Sequence, residues 1–319
     1  VLILSHMDVL AALPADECAE AMEAVLAAHA RGEAFMPLRS VMMPPGAAGF
    51  MGLMPAWRGE KALFALKAIC VIPANPARGL DAHQGIVTLF DGDTGVPTAI
   101  LDASALTEIR TAAVTAVATR ELAILGAGVQ ARSHLDALAR VRQFSHVRIY
   151  APTEAHAQAV IDETTAPVGD AELTVAPSAE LAVRGADVVV VATSSREPVL
   201  SREWLSAGAH VNAVGASTLT ARELDVETVA ASALFADSRE SLRNEAGEFA
   251  LAIGEGAISG EEHVRAELGE VLAGLRPGRA DDTELTLFRS LGLAVEDLAA
   301  AEHAVANARH RGIGTEVEL

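Results

Sequence analysis

Lysine is nearly missing from this chain: its 319 residues hold two, Lys61 and Lys67, alongside two cysteines, one tyrosine and 3% aromatic residues. Each shortage excludes something. Cys18 and Cys70 lie far apart, with no CxxC pair and no Cys/His cluster at zinc spacing, so neither a disulfide framework nor a metal site is expected and a reduced, cytoplasmic setting fits. The formal net charge of -19 at pH 7 disfavours nucleic acid or an anionic membrane surface as the main partner, because both demand a basic face. No apolar run reaches the roughly 18 to 20 residues that span a bilayer, and no basic segment followed by a cleavable apolar stretch opens the sequence. A small-molecule ligand is the expectation that remains.

What is abundant is aliphatic: hydrophobic residues make up 51% of the chain, and with so few aromatics the core must be Ala, Val, Leu and Ile, which suits helices packed on a parallel sheet. The length exceeds the usual range for one core, so two domains are expected. Residues 14–30 carry apolar positions at helical spacing with acids in the first turn. Strand-like runs follow at 62–72 (ALFALKAICVI), 85–90 (GIVTLF) and 97–101 (PTAIL), with DGDTG at 91–95 as a hairpin turn, and together they read as an antiparallel α+β unit. A second helix is expected at 106–119. From there the pattern becomes strand, helix, strand, with candidate strands at 122–125, 146–150, 173–176, 187–193, 210–215 and 233–237, and residues 293–311 read as a final helix.

The strongest local signal is LAILGAGVQARSHL. It places Gly126-Ala127-Gly128-Val129-Gln130-Ala131 directly after an apolar strand and before a helical pattern, which is GxGxxA in the context a dinucleotide site requires. Gly126 allows the tight turn, Gly128 lets backbone approach a pyrophosphate, Ala131 is small enough for helix–strand packing, and the helix N-terminus offers N–H groups to the anion. About 20 residues on, where an acid holds the ribose of NAD, the chain reads Tyr150-Ala151-Pro152-Thr153. Without an acid there a 2′-phosphate is not repelled, and no arginine follows to clamp it. The cofactor expectation is therefore NAD(P), leaning to NADP. The strand ends Thr193-Ser194-Ser195 and Val214-Gly215-Ala216-Ser217 fall where ligands bind in such sheets, although serines there also serve as ordinary helix caps.

In the first half, Lys67 sits within ALFALKAICVI, whose neighbours ask for burial. A desolvated lysine can hold substrate or move a proton, whereas an edge strand would let it face solvent. Arg39 in FMPLRSVM and Arg110, the lone cation of LTEIRTAAVTAVAT, suit capture of a carboxylate, with a surface salt bridge as the plain alternative. His83 and Gln84, opening the GIVTLF strand, are further candidates.

These segments together resemble the ornithine cyclodeaminase/mu-crystallin family over nearly the whole chain: PLR at 37–39, the Lys67 strand, HQG at 83–85, LTEIRTAA at 106–113, GAGVQA at 126–131, NAVGAS at 212–217, ADSRE at 236–240 and SLGLAVEDLAAA at 290–301. The resemblance implies a homodimer of α/β class: a substrate-binding and dimerisation α+β domain over residues 1–115, with the C-terminal helix at about 296–319 returning to it, and a Rossmann-type, doubly wound parallel sheet over 116–295. It implies that Arg39 and Arg110 hold the substrate carboxylate and that Lys67 binds substrate and assists proton transfer. His83, Val129, Gln130, Thr153, Thr193 and Val214 would neighbour the cofactor together with Gly126, Gly128 and Arg110, and Leu291 would lie beside the substrate.

One position departs from the ornithine cyclodeaminases proper, which carry an aspartate where this chain has Ser217. A serine cannot supply that negative charge during ring closure. The expected activity is therefore NAD(P)H-dependent reduction of an α-imino acid, or oxidation of an α-amino acid, as in ketimine reductases and alanine dehydrogenases. Cyclodeamination of ornithine, with Asp225 or Asp237 replacing the missing acid, is the alternative, and a dinucleotide-binding protein without turnover is a third.

Overall fold

The computed structural model describes residues 1–113, 121–141, 143–164 and 167–318. The first segment runs through β1 (Leu2–Leu4), α1 (His6–Ala12), α2 (Ala15–Ala30), β2 (Ala34–Phe35), β3 (Ser40–Met42), β4 (Phe50–Arg58), β5 (Leu63–Val71), β6 (His83–Asp91), β7 (Pro97–Asp102) and α3 (Ala103–Ala113). The middle contributes β8 (Glu121–Leu125), α4 (Val129–Val141), β9 (His146–Tyr150), α5 (Glu154–Asp162), β10 (Glu172–Val175), α6 (Ala179–Val183), β11 (Val188–Val191), β12 (His210–Ala213), α7 (Val226–Ala231) and β13 (Ala233–Ala236). It continues with α8 (Arg239–Glu245), α9 (Gly247–Gly254), β14 (Val264–Glu267), α10 (Leu268–Leu272) and β15 (Thr286–Arg289), and the chain closes with α11 (Ala294–Arg311) and β16 (Thr315–Glu316). Two units result: Val1–Val114 with Gly292–Leu319, and Thr115–Leu291. The helix expected at 106–119 begins earlier, at Ala103, and its part beyond residue 113 lies outside the described residues.

The first unit is one sheet in the order β16-β1-β7-β6-β5-β4-β2, with β3 also paired to β4. Its pairings are antiparallel except β1 with β7, so the expected antiparallel unit is in fact mixed. Strand alternation sends Ala65, Lys67 and Ile69 of β5, and Val87 and Leu89 of β6, to the face on which α3 and α11 pack. The DGDTG turn forms between β6 and β7, where Asp91 Oδ1 accepts from the N–H groups of Asp93 at 3.2 Å and Thr94 at 2.8 Å. The closing helix follows the pattern read at 293–311 to within one residue, whereas the returning segment set at about 296–319 differs at both ends. The return to this unit begins at Gly292, and α11 stops at Arg311 because Gly312 takes the left-handed conformation (φ 66°) and turns the chain into β16.

Strand β4 is absent from the sequence expectation because FMGLMPAWR contains a glycine and a proline, both poor strand residues. The proline is tolerated because β4 pairs along its length with β5, while on its other side β3 reaches only Leu53 and β2 begins at Trp57, so Pro55 lies between them.

The second unit is a parallel sheet in the order β10-β9-β8-β11-β12-β15-β13-β14. Both faces are covered. In β11 all four valines are buried, Val189 and Val191 facing one apolar cluster and Val188 and Val190 another. Strands β14 and β15 were not foreseen, because each is four residues long and carries charge, Arg265 and Glu267 in one and Arg289 in the other. Sequence order reverses beside β8, whose neighbours are β9 and β11, and the GAGVQA turn leaves its carboxyl end. Among the described residues no helix is long and apolar enough to cross a membrane.

Gly126 has φ 125°, and a Cβ there would meet Ala192 O at 2.2 Å, so the turn cannot accept a side chain. Gly126→Ala is expected to lower stability by at least about 2 kcal/mol, read as a lower urea midpoint, while Gly128→Ala, whose Cβ meets no atom of the described residues within 4 Å, leaves the midpoint unchanged.

Candidate active site

In the first unit, burial and charge converge on Lys67. Its side chain is 3% exposed, and its Nζ donates to Thr107 Oγ1 at 2.6 Å and to Asp297 Oδ1 at 3.2 Å. Thr107 and Arg110 stand one turn apart on α3 and so share a face, which brings the Arg110 guanidinium into the same cluster. Arg110 Nη1 donates to Glu296 Oε2, and its Nε lies 3.2 Å from Asp297 Oδ1. Both acids belong to the first turn of α11, where negative charge also suits the helix dipole. Glu296 additionally accepts from Leu293 N–H at 3.2 Å, closing the helix start. Two cations and two carboxylates, each 4% exposed or less, thus neutralise one another.

Burial drives the Lys67 ammonium from its ordinary value of 10.5 down to about 8, with Asp297 restraining the fall and the charges of Arg110 and Arg39 adding to it. Arg39, half-buried on the loop between β2 and β3, donates from Nη2 to Gly292 O at 2.8 Å. Gly292 itself has φ 80°, and a Cβ there would lie 2.7 Å from Arg110 Nη2, so glycine lets the guanidinium lie close. His83, at the start of β6, points to the same sheet face as Lys67, and its N–H donates to Asp81 Oδ1 at 3.0 Å. Arg39, Lys67 and Arg110 are therefore brought into one neighbourhood. Nearby Cys18 is no nucleophile, since burial pushes its thiol up to about 12.

The remaining candidates belong to the second unit. Gly126 is fixed by sterics, whereas the space beside Gly128 is open, so a phosphate has room to approach the backbone and the first N–H groups of α4, which starts at Val129 and Gln130. Ala131 is fully buried against the sheet. Thr153 is the residue before α5, and its side chain makes no capping hydrogen bond. Thr193 and Val214 follow the adjacent strands β11 and β12, and Ser217 is exposed on the loop beyond. Leu291 is 6% exposed in the apolar core, with its N–H donated to Asp237 Oδ2.

Sequence reasoning missed Thr107, Glu296, Asp297 and Glu223. The signal for the acids was present: two adjacent carboxylates inside the otherwise apolar run GLAVEDLAAA, which need cations as partners if the run is buried. Asp225 and Asp237, the acids considered in place of an aspartate at Ser217, are engaged elsewhere. Asp225 caps α7 through Thr228 N–H at 2.9 Å and accepts from Ser201 Oγ and Arg202 N–H, while Asp237 is 2% exposed and accepts from the N–H groups of Ser238 and Leu291.

Residues 1–312 match the model of the ornithine cyclodeaminase/mu-crystallin family. The chain belongs to this family. It is 38% identical over 292 residues to the ketimine reductase mu-crystallin of Mus musculus, covering 88% of each chain. Among solved structures it is similar to the Thermococcus litoralis Delta(1)-pyrroline-2-carboxylate reductase in complex with NADH and L-proline (TM-score 0.94, 35% identity, 99% of this chain and 100% of that one). It is similar also to an archaeal alanine dehydrogenase dimer with bound NAD (TM-score 0.91, 33% identity, 100% of this chain and 99% of that one). Segments that carried the resemblance, from PLR to SLGLAVEDLAAA, fall within the matched span.

The two lysines make a paired stability test. Asp297→Asn should cost about 3 kcal/mol by leaving the buried Lys67 and Arg110 without their shared counter-charge. Lys61→Met removes a pair with Glu302 at 3.3 Å in which Lys61 is 51% exposed, and should cost under about 1 kcal/mol. Urea unfolding of both variants checks the contrast.

Proposed function

We propose that this chain is a nicotinamide-dependent oxidoreductase that reduces the C=N bond of an α-imino acid, cyclic ketimines included, or runs the reverse oxidation of an α-amino acid. The observation that carries the reading is Lys67: a buried amine with its pKa near 8, flanked by Arg39 and Arg110. The second unit fits the cofactor, because Gly128 leaves a space that no atom of the described residues fills at the start of a helix. A nicotinamide dinucleotide, when bound, supplies or takes the hydride. Among the described residues Thr107 and Asp297 take two of the three Lys67 N–H groups, and the third is the one assigned to the substrate. Lys67 gives a proton to the reacting imine region during reduction, and Asp297 keeps the amine charged until then. Arg39 and Arg110 orient the substrate carboxylate through their N–H groups. The relatives named above reduce or oxidise at such a bond by their names, and of the two solved structures one holds NADH and L-proline and the other NAD.

No carboxylate occupies Ala151 to Thr153 after β9, so NADPH is expected to serve at least as well as NADH, in the cytoplasm where both are regenerated. The test is an absorbance assay with either cofactor, a panel of cyclic ketimines, and 2-oxo acids with ammonia or methylamine, alongside ornithine with NAD and product analysis for proline. Cofactor oxidation without proline from ornithine supports the reading; proline and ammonia from ornithine would overturn the argument from Ser217. As pH rises through about 8, kcat/KM for reduction should fall as Lys67 loses its proton. Lys67→Met should lower turnover on the order of 100-fold and abolish that limb.

The functional assembly is a homodimer on the same reading. The sheet face away from α3 and α11 presents a row, Ile3, Ile100, Thr88, Leu66 and Pro55, in register across five strands and apolar except at Thr88, and beside it Ile86, Ala68 and Leu53. Ile86 is 45% exposed and Phe64 46%, and the similar alanine dehydrogenase is described as a dimer, so a second copy of this chain is the occupant proposed. Ile86→Glu should convert dimer to monomer in light scattering; a parent that is already monomeric would sink this assignment.

A further inference from the structure

Glu223 is fully buried, yet it lies on no helix or strand. Its backbone is anchored, since Glu223 O accepts from the N–H groups of Val199 at 2.9 Å and Leu200 at 3.1 Å. Its side chain reaches two loops at once. Oε1 accepts from Thr193 N–H at 2.6 Å and Thr193 Oγ1 at 2.8 Å, and Oε2 accepts from the N–H groups of Gly215 and Ala216, both at 2.8 Å. Three of these four donors are backbone N–H groups that cannot accept, so the two carboxylate oxygens satisfy them all, whereas an amide would set its NH2 against an N–H on one side. Burial pushes the Glu223 carboxyl up, and the Arg289 charge and these donors oppose it.

Arg289 completes the grip from the other side. It is 1% exposed, donates from Nε to Glu248 Oε1 at 2.5 Å, from Nη1 to Ala213 O at 2.9 Å and Ser290 O at 3.0 Å, and from Nη2 to Ala216 O. Ala216 is thus held through its N–H by Glu223 and through its carbonyl by Arg289. Gly215 has no room for a side chain, as its Cβ would lie 2.1 Å from Thr193 O and 2.5 Å from Glu223 Oε1. The loops so joined leave the carboxyl ends of β11 and β12, neighbours in the parallel sheet, which is where ligands bind in open α/β sheets. A buried charge cluster of this kind costs desolvation on every member, and a fold that needed only a packed core would do without it.

We propose that Glu223, with Arg289 behind it, is a positioning residue for hydride transfer: it locks the Thr193 and Val214–Ser217 loops together and so fixes the seat that these loops offer the nicotinamide ring. The proposal rests on the dinucleotide-dependent reading given above. Glu223 acts through Thr193, Gly215 and Ala216 and touches no reacting atom. A loop displaced by about 1 Å is enough to cost on the order of 100-fold in rate, while the pyrophosphate grip at the GAGVQA turn, carried by other residues, is kept.

The experiment compares the parent with Glu223→Gln, which keeps the volume and removes two of the acceptor positions. The dinucleotide Kd is measured by calorimetry, and kcat is measured with protio and 4-deuterated reduced cofactor. The expected result is a Kd within about threefold of the parent, kcat lower on the order of 100-fold, and a larger deuterium isotope effect. The isotope effect does not depend on how much of the sample is folded, so a loss of stability alone leaves it unmoved. An isotope effect and kcat equal to the parent's would overturn the proposal. Should Glu223→Gln not accumulate as folded protein, Glu223→Asp, which keeps the charge but is too short to reach both loops, is judged by the same readouts. Failure of the parent itself to bind the dinucleotide would instead sink the functional reading on which the proposal rests.

Discussion

Asp297 is the carboxylate on which the first unit turns. Lys67 on β5 and Arg110 on α3 both reach its Oδ1, and neither cation has water to solvate it. Two buried cations without counter-charge would cost several kcal/mol each, so the sheet and α3 depend on a segment from the far end of the chain that delivers Glu296 and Asp297 together. Adjacent residues on a helix point about 100° apart, which is why one acid serves Arg110 and the other bridges both cations. The left-handed glycine at 292, just before α11, gives the Arg110 guanidinium its space and presents the carbonyl that Arg39 holds.

The second unit uses the same device for a different end. Glu223, remote in sequence from Thr193, collects backbone donors from two loops and is backed by Arg289 at the end of β15. In each unit a buried carboxylate ties together segments that are distant in sequence. The price is desolvation, and what it secures is a fixed arrangement of polar groups that apolar packing, which is non-directional, does not specify. The acidic surface carries no part of this. The net charge of -19 belongs to the chain as a whole, while Lys67, Arg110 and Arg289 are shielded inside.

The parallel sheet, the GAGVQA turn with its helix, and the polar ends of β11 and β12 could all be read from the sequence, because each depends on residues within one strand–turn–helix unit. Lys67 could be picked out as well, since a lysine among alternating apolar residues in a chain with only two lysines is conspicuous. Strand β4 was hidden by Gly52 and Pro55, and β14 and β15 by their charges, features whose cost is met by neighbours that local pattern does not reveal.

By itself, then, the amino-acid order determined the periodicities, the glycines that turns require, the scarcity of lysine and the motif set of the family. Tertiary structure alone decided which carboxylate answers which cation. The Lys67–Asp297 pair joins β5 to α11 across 230 residues, and the hydrogen bond from Thr193 joins the loop after β11 to Glu223 across 30; a contact of that span is settled by the packing of whole elements rather than by the propensity of any segment.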